Sequence, residues 1–133
     1  MLSMHKSVLD GILNHAHADA PLEACGILAG KDDTVVRFFP LKNIDRSAEH
    51  FSFDPAEQFS VARAIRSENL KTAAVYHSHP KTPARLSQED IRLAHDPGVA
   101  YVIISLAGGA PVTKAFKVRD SLVAPEEIVI IDA

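Results

Sequence analysis

This sequence has a single cysteine, no excess of basic residues and no long apolar run, and each of these absences excludes a class of protein. Cys25 is the only cysteine, so no intramolecular disulfide can form and a cysteine-rich structural zinc site is excluded. The formal net charge is −3, which leaves no basic excess to neutralise a phosphate backbone or an anionic membrane surface. We therefore expect no nucleic-acid partner and no membrane partner.

The N-terminal segment also lacks the features of an export signal. Polar and charged residues interrupt it, among them Lys6, Asp10 and Asp19, so it contains no unbroken apolar stretch of the kind found in signal peptides. No other segment approaches the roughly 20 apolar residues that span a bilayer. Together with the single cysteine, which suits a reducing compartment, these features predict a cytoplasmic location.

What the sequence does contain is the composition of an ordinary globular protein. Its 133 residues are 47% apolar and 23% charged, without an internal repeat, a low-complexity segment or a domain-splitting linker. This predicts a single domain over residues 1–133. A chain of this size buries roughly two thirds of its surface on folding. Stability therefore does not require a structural metal, and we expect any metal to serve chemistry.

Hydrophobic periodicity predicts an α/β (α+β) fold, a mixed sheet flanked by helices. Helices are predicted at 4–18, from 55 to about 69 and from 87 to about 95, and strands at 24–29, 34–41, 72–77, 100–106, 112–118 and 128–131. Ser3 is the expected cap of the first helix, and Pro21 ends it. Residues 30–33 are expected to form the turn of a hairpin between the first two strands.

The second helix has the most explicit start signal. Asp54 is expected at the N-cap, Pro55 at the first helical position and Glu57 as the partner in a capping box. Phe59, Ala62 and Ile65 form its predicted apolar stripe, and Asn69 closes it.

The candidate chemistry begins at the end of the third predicted strand. His77 and His79 are two residues apart, so their side chains point to the same face of that strand. Two strand rises separate their Cβ atoms by about 6.6 Å, a gap that two imidazoles can close onto one ion with bonds of about 2.0–2.1 Å. Pro80 stops the strand from pairing onward and leaves the two histidines at an open sheet end.

Asp90 is the expected third ligand, because the chain crosses a loop of seven residues and returns through the first turn of a helix. Ser87-x-x-Asp90 is also a capping-box pattern, and this structural interpretation is compatible with metal binding. Two histidines and one aspartate leave a fourth tetrahedral position for water, which is typical of catalytic zinc. A carboxylate must then accept a proton from that water, and Glu23 is the candidate.

Each of these residues also has an ordinary structural interpretation. Glu23 alone would more often be a solvated carboxylate than a base. A His-x-His pair alone is weak evidence, since His15 and His17 form a second one. We assign that second pair to solvent, because side chains two residues apart on a helix diverge. The prediction of a site therefore depends on the joint occurrence of His77, His79, Asp90 and Glu23.

These residues together resemble the JAMM motif of MPN+ (Mov34) metallopeptidases. The motif comprises His77-Ser78-His79, seven further residues, Ser87 and Asp90, with Glu23 upstream. Residues 21–30 and 53–57 also look like the short stand-alone bacterial members of that family. The resemblance covers roughly residues 1–120.

The resemblance implies a mixed curved sheet with flanking helices, like that of cytidine deaminases, and a Zn²⁺ bound by His77, His79 and Asp90. It implies that Glu23 is the general base and then the acid, and that Ser87 hydrogen-bonds the developing oxyanion. The bond cut would be an amide or isopeptide after the C-terminal Gly-Gly of a ubiquitin-like protein.

For short bacterial members, the resemblance implies a ubiquitin-like sulfur carrier as partner, whose tail is freed from an amino acid such as cysteine. Such a tail is expected to add as a strand near the site and to enter between loops 43–50 and 81–86. A homodimer stays an open alternative.

Two functions from other classes compete with the peptidase. One is a non-catalytic MPN-type binding scaffold. A protein that stays zinc-free after zinc-supplemented expression would favour this alternative. The other is a cysteine hydrolase using Cys25, although a cysteine in an apolar run is usually buried and inert. A zinc nucleobase deaminase needs a Pro-Cys-x-x-Cys segment, which one cysteine cannot provide.

We expect chelators to abolish hydrolysis and iodoacetamide to leave it unchanged, because the metal rather than the thiol is the predicted reactive group. Activity assays after each treatment test this expectation. Loss of activity with iodoacetamide and resistance to chelators would favour the cysteine hydrolase.

Overall fold

The computed structural model describes residues 1–132, and Ala133, the last residue of the predicted domain, lies outside them. Within the described residues, eight strands and three helices follow one another along the chain. In chain order they are β1 Leu2–His5, α1 Lys6–Asp19, β2 Cys25–Lys31, β3 Thr34–Leu41, α2 Pro55–Ser67, β4 Lys71–His79, α3 Gln88–Leu93, β5 Ala100–Ser105, β6 Val112–Arg119, β7 Leu122–Glu126 and β8 Ile128–Ile131.

The strands form one mixed, curved sheet. Its order is β7-β6-β5-β4-β2-β3-β1-β8, with β1 parallel to β3 and to β8, β4 parallel to β5, and the other neighbours antiparallel. Glu127 alone separates β7 from β8, although these strands stand at opposite ends of the order. The two ends of the sheet must therefore lie close together, and the sheet curls nearly into a barrel.

The central strands are buried on both faces. In β2, Leu28 packs with α1 residues such as Ile12, while its neighbour Ile27 packs with α2 residues such as Val61. This alternation explains why β2 is a continuous apolar run, since each face is covered by a helix. The predicted mixed sheet with flanking helices is confirmed.

The predicted start of the first helix is wrong. Residues 2–5 form β1, which pairs with β3 on one side and β8 on the other. Leu2 and Met4 are buried with the period of two that a strand requires. Ser3 therefore lies in a strand rather than at a helix cap, and His5, at the N-cap, makes no side-chain cap hydrogen bond. Pairing with distant strands decides the conformation here.

The second helix begins as expected, but the prediction that Glu57 completes a capping box is wrong. The side chain of Asp54 accepts a hydrogen bond from Ala56 N at 3.0 Å. Glu57 instead accepts one from the backbone N of Lys42 at 2.7 Å and so fixes the end of β3.

The predicted apolar stripe of α2 is also partly wrong. Phe59 is 66% exposed, whereas Val61 and Ile65 are buried against the sheet. Residues 61 and 65 are one turn apart, and position 59 is about 200° around the helix from 61.

Two hairpins use the same kind of turn. The predicted hairpin of β2 and β3 is confirmed, with positive φ values of 53° and 65° at Asp32 and Asp33. Asp120 and Ser121, with φ of 51° and 65°, make a similar turn between β6 and β7. Two consecutive residues with positive φ match the twist of a two-residue hairpin. Strand β7 was not predicted, and Pro125 within it explains why.

No helix in the described part of the chain is both long enough and apolar enough to cross a bilayer. The predicted cytoplasmic location stays a prediction.

Gly26 lies opposite Tyr76 in the β2–β4 pair, where a Cβ atom would meet the Tyr76 ring and the Phe39 carbonyl oxygen. We expect Gly26→Ala to lower the free energy of unfolding by about 1–3 kcal/mol through overpacking, as measured by urea denaturation. Gly109→Ala is the matched control, because nothing lies within 4 Å of its Cβ position. Equal losses in the two variants would contradict this account.

Candidate metal centre

The end of β4 places two imidazoles side by side. The Nε2 atoms of His77 and His79 are 3.1 Å apart, and their ring centroids are 4.9 Å apart. Both side chains are buried. Strand β4 is fixed on both sides, by β2 and by β5. The predicted common face of the two histidines is therefore observed on a rigid central strand.

The loop after β4 is tied back to the sheet at two points. The backbone oxygen of Pro83 lies 3.0 Å from Nδ1 of His79. The hydroxyl of Ser105, at the end of β5, donates to the backbone oxygen of Thr82 at 2.6 Å. These contacts orient the ring of His79 and set the path by which the chain returns to the histidines.

Asp90 caps α3 as predicted and lies close to both imidazoles. Its Oδ2 lies 3.3 Å from the Nε2 atoms of both His77 and His79. The same oxygen accepts a hydrogen bond from Ser87 N at 2.9 Å, while Ser87 Oγ accepts one from Asp90 N at 3.0 Å. The capping box of α3 is therefore complete, and it aims the Asp90 carboxylate at the two imidazoles.

The three ligand atoms fit a tetrahedral metal ion. They form a triangle with edges of 3.1, 3.3 and 3.3 Å. Bonds of about 2.0–2.1 Å at tetrahedral angles place ligand atoms roughly 3.3–3.4 Å apart. A hydrogen bond from Nδ1 of His79 to a backbone oxygen would leave its Nε2 lone pair free for a metal, as is common for metal-binding histidines. Donor set and spacing both suit zinc.

The charges at the site favour an ionised Asp90. Burial opposes its ionisation, but the hydrogen bonds with His77 and His79 outweigh burial and hold the pKa of Asp90 well below its ordinary value. Burial lowers the pKa of His77 and so favours the neutral imidazole. Burial acts in the same direction on His79, but Asp90 and the Pro83 carbonyl raise the pKa of His79 overall. An ionised carboxylate and a neutral imidazole are the forms that bind metals.

Glu23 is buried beside this cluster. It lies two residues before the start of β2 and is 3% exposed, and within residues 1–132 its Oε1 has no hydrogen-bond partner. Burial raises the pKa of Glu23 to about 8, and the charges of His79 and Asp90 also act on it. A carboxyl that titrates near neutral pH and has a free oxygen is equipped to accept and release protons.

Sequence reasoning missed Ser78, which holds Glu23 in this place. Its hydroxyl accepts a hydrogen bond from Ala24 N at 2.8 Å, and its backbone N donates to Ala24 O at 2.9 Å. A small polar residue in a fully buried strand was the available signal, because a buried hydroxyl needs a partner.

Asn43 and Phe51 were also missed. The side-chain nitrogen of Asn43 donates to Glu23 O at 3.1 Å and to His50 O at 3.0 Å, so it ties the loop between β3 and α2 to the site. Phe51, on that loop, stacks on His77 at a centroid distance of 4.8 Å. The loop sequence follows no helix or strand pattern, so neither contact could be predicted from it.

A small pocket of about 50 Å³ opens beside the cluster. Its lining combines aromatic and aliphatic side chains with the carboxylates of α3, namely Phe51, His77, Leu86, Glu89, Asp90, Leu93 and Tyr101. Apolar walls next to a few polar groups are typical of a ligand site.

Cys25 and His15 lie outside the cluster. Cys25 is fully buried, and burial raises the pKa of its thiol to about 12, which disfavours a nucleophilic thiolate. The assignment of His15 to solvent is wrong, because its Nδ1 lies 2.7 Å from the hydroxyl of Tyr76 and its Nε2 3.2 Å from Asp19. His17 is exposed, so the two side chains diverge as expected.

Comparisons with known proteins point to peptidases. The model of a family described as prokaryotic homologs of the JAB domain matches residues 5–119. The CysO-cysteine peptidase of Mycobacterium tuberculosis is 30% identical over 135 residues, 99% of this chain and 92% of that protein. The desampylase of Haloferax volcanii is 36% identical over 114 residues, 80% of this chain and 82% of that protein.

Solved structures have the same architecture. A protein from Desulfitobacterium hafniense, 43% identical, gives a TM-score of 0.91 and covers 100% of this chain and 94% of its own. A JAB1/MPN domain protein from Archaeoglobus fulgidus, 20% identical, gives a TM-score of 0.68 with coverages of 98% and 97%. The MPN type of the predicted fold is therefore confirmed.

We expect Asp90→Asn to weaken zinc binding by about tenfold or more, since even residues that only support metal ligands contribute that much. The asparagine oxygen can still accept from Ser87 N, so α3 should keep its cap. Titration of the metal-free protein with zinc measures the affinity. Glu89→Gln is the matched control, because Glu89 is the preceding residue of the same helix turn and lies outside the ligand cluster. Unchanged affinity in Asp90→Asn would remove it from the ligand set.

Proposed function

This chain belongs to the family of prokaryotic homologs of the JAB domain, and from that membership we propose that it is a zinc-dependent peptidase or isopeptidase. The bond cut would be the amide after the C-terminal Gly-Gly of a ubiquitin-like or sulfur carrier protein. The observation that carries the proposal is the convergence of the ligand atoms of His77, His79 and Asp90 beside the buried Glu23.

His77 and His79 would hold the zinc through Nε2, and Asp90 through Oδ2. Zinc there would supply Lewis-acid polarisation of the scissile carbonyl and lower the pKa of water to about 7. The ionised carboxylate of Asp90 and the Nε2 lone pairs of His77 and His79, whose nitrogens lie 3.1 Å apart, would be the groups that hold the metal.

Glu23 would carry the proton. Its unpartnered Oε1 accepts a proton from the attacking water, and the carboxyl then donates it to the leaving nitrogen when the amide bond breaks. Because burial raises the pKa of Glu23, the protonated form is accessible near neutral pH. The leaving group must then lie against Glu23.

Ser87 would bind the developing oxyanion. Its Oγ already accepts a hydrogen bond from Asp90 N, which orients the hydroxyl while its own proton stays available for donation. A donor fixed in advance stabilises a transition-state charge without reorganising.

The proposed partner is the tail of a carrier protein. Support comes from the names of two relatives, a CysO-cysteine peptidase and a desampylase, and from the sequence resemblance. The tail would enter between loops 43–50 and 81–86, next to the pocket beneath Phe51. Freed from an amino acid such as cysteine, the carrier would return to sulfur transfer or cysteine synthesis.

The non-catalytic MPN-type scaffold is the alternative. A binding scaffold would require neither three convergent ligand atoms nor a buried carboxyl oxygen that lacks a hydrogen bond within the described residues. Both observations therefore favour the enzyme. Metal analysis after zinc-supplemented expression separates the two, because a scaffold would stay essentially zinc-free. A homodimer stays a prediction.

The substrate is tested with candidate ubiquitin-like carriers that end in Gly-Gly and are extended by one cysteine. Zinc-loaded protein should release the cysteine, which mass spectrometry detects as the loss of one residue. A matched carrier with Gly-Gly replaced by Ala-Ala serves as the control. Equal cleavage of both carriers would contradict the proposed specificity.

We expect Glu23→Gln to retain zinc but lose turnover, because glutamine can occupy the site but cannot carry the proton. Zinc content and single-turnover cleavage measure the two effects. The metal-free variant should be at least as stable as metal-free wild type at pH 7. In the wild type the pKa of Glu23 rises from 4.5 to about 8 on folding, so the unfolded state binds fewer protons and stability falls across that pH range. Full activity in zinc-loaded Glu23→Gln would overturn the assignment.

A further inference from the structure

The loop between β3 and α2 presents an oriented imidazole that the proposed mechanism does not use. Nδ1 of His50 lies 3.0 Å from Oδ2 of Asp45, and the same oxygen accepts a hydrogen bond from Ser52 Oγ at 2.7 Å. Asn43 fixes the backbone of His50 through the carbonyl oxygen. The side chain is nevertheless 47% exposed, so Nε2 is free to meet a ligand from solution.

The backbones of His50 and of the proposed proton carrier Glu23 share one hydrogen-bond donor, because the side-chain nitrogen of Asn43 donates to Glu23 O at 3.1 Å and to His50 O at 3.0 Å. The charges that act on Glu23 belong to His79, Asp90, His50 and Glu89. His79 and Asp90 are proposed metal ligands, and Glu89 is negative. His50 is therefore the one group of these four that can be positive while the metal is bound. The hydrogen bond with Asp45 raises the pKa of His50 despite partial burial, and Glu89 and Glu23 raise it further.

This inference rests on the proposed function, in which Glu23 protonates the leaving nitrogen. When the leaving group is a single amino acid, its α-carboxylate is one carbon away from that nitrogen. The α-carboxylate would then lie near the carboxylates of Glu23 and Glu89, and a positive side chain beside the metal would offset their repulsion. A lysine side chain released from an isopeptide carries no carboxylate at that position. The two leaving groups thus make different electrostatic demands on the site.

We propose that His50, oriented by Asp45, binds the α-carboxylate of a single amino acid attached to the carrier tail. The imidazolium donates from Nε2 to the carboxylate, while Asp45 accepts from Nδ1 and stabilises the positive ring. His50 is then a specificity-determining residue, and the preferred substrate is a carrier that ends in Gly-Gly followed by one amino acid with a free carboxylate.

Turnover tests the preference directly. The probes are two forms of one Gly-Gly carrier extended by a single alanine, one with a free carboxylate and the other with a carboxamide. Wild type should favour the free acid, and His50→Gln should lower the ratio of the two kcat/KM values by about tenfold, the effect of one charge-assisted hydrogen bond. Arg46→Gln, which removes a positive charge from the same loop, is the matched control and should leave the ratio unchanged.

The pH dependence separates a charge effect from a structural one. Asp45, Glu23 and Glu89 all favour the protonated form of His50, so the preference should be full at low pH and fall as the pH rises through the pKa of His50. His50→Arg stays charged and should keep a preference that does not change over this range. A ratio that is independent of pH in wild type would overturn the assignment.

A binding measurement separates this inference from the proposed function. In zinc-loaded Glu23→Gln, NMR titration of the His50 ring with the peptide acetyl-Gly-Gly-Ala should show a higher His50 pKa for the free acid and no change for the carboxamide. If neither carrier is cleaved but the free acid still raises this pKa, the proposed function fails and the assignment of His50 stands. If both carriers are cleaved at the same ratio by wild type and His50→Gln, the function stands and the assignment is wrong.

Discussion

The pairing of β2 with the end of β4 is the constraint on which the candidate site depends. Cys25 lies opposite His77 in this pair, and Ser78 and Ala24 exchange two hydrogen bonds just beyond it. This register also fixes the position of Glu23, because Glu23 is the residue before Ala24. A slip by one residue would turn each side chain to the other face of the sheet. The position of Glu23 relative to the imidazoles is therefore set by the central sheet rather than by a loop.

A helix cap ties Asp90, the candidate third ligand, to the same frame. One carboxylate oxygen satisfies the first backbone N–H of the turn and points at the two histidines. The helix dipole at this end also favours a negative charge. The six-residue helix has no buried residue of its own, so its position depends on the cap and on the loop contacts at Thr82 and Pro83.

Buried polar groups with no partner mark the site chemically. In the described part of the chain, Oε1 of Glu23 and Nδ1 of His77 are the buried side-chain atoms without a hydrogen bond. Such groups are costly to bury. The proposed proton transfer would use the Glu23 oxygen, whereas metal binding through Nε2 of His77 would not involve its Nδ1. Cys25 is also buried, but its thiol behaves as a small apolar group in the core between the sheet and α2.

The sequence by itself determined the donor set and its local spacing. Alternate residues of a strand share a face, which brings His77 and His79 together, and a capping box turns Asp90 inward. Most helices and strands follow from the same local rules. Tertiary structure alone decided the rest: β1 exists because two distant strands pair with it, and the backbones of Glu23 and His50 are held together because Asn43 donates to both of them. No local pattern contains the register between strands or the path of an irregular loop, since both depend on contacts between residues far apart in the chain.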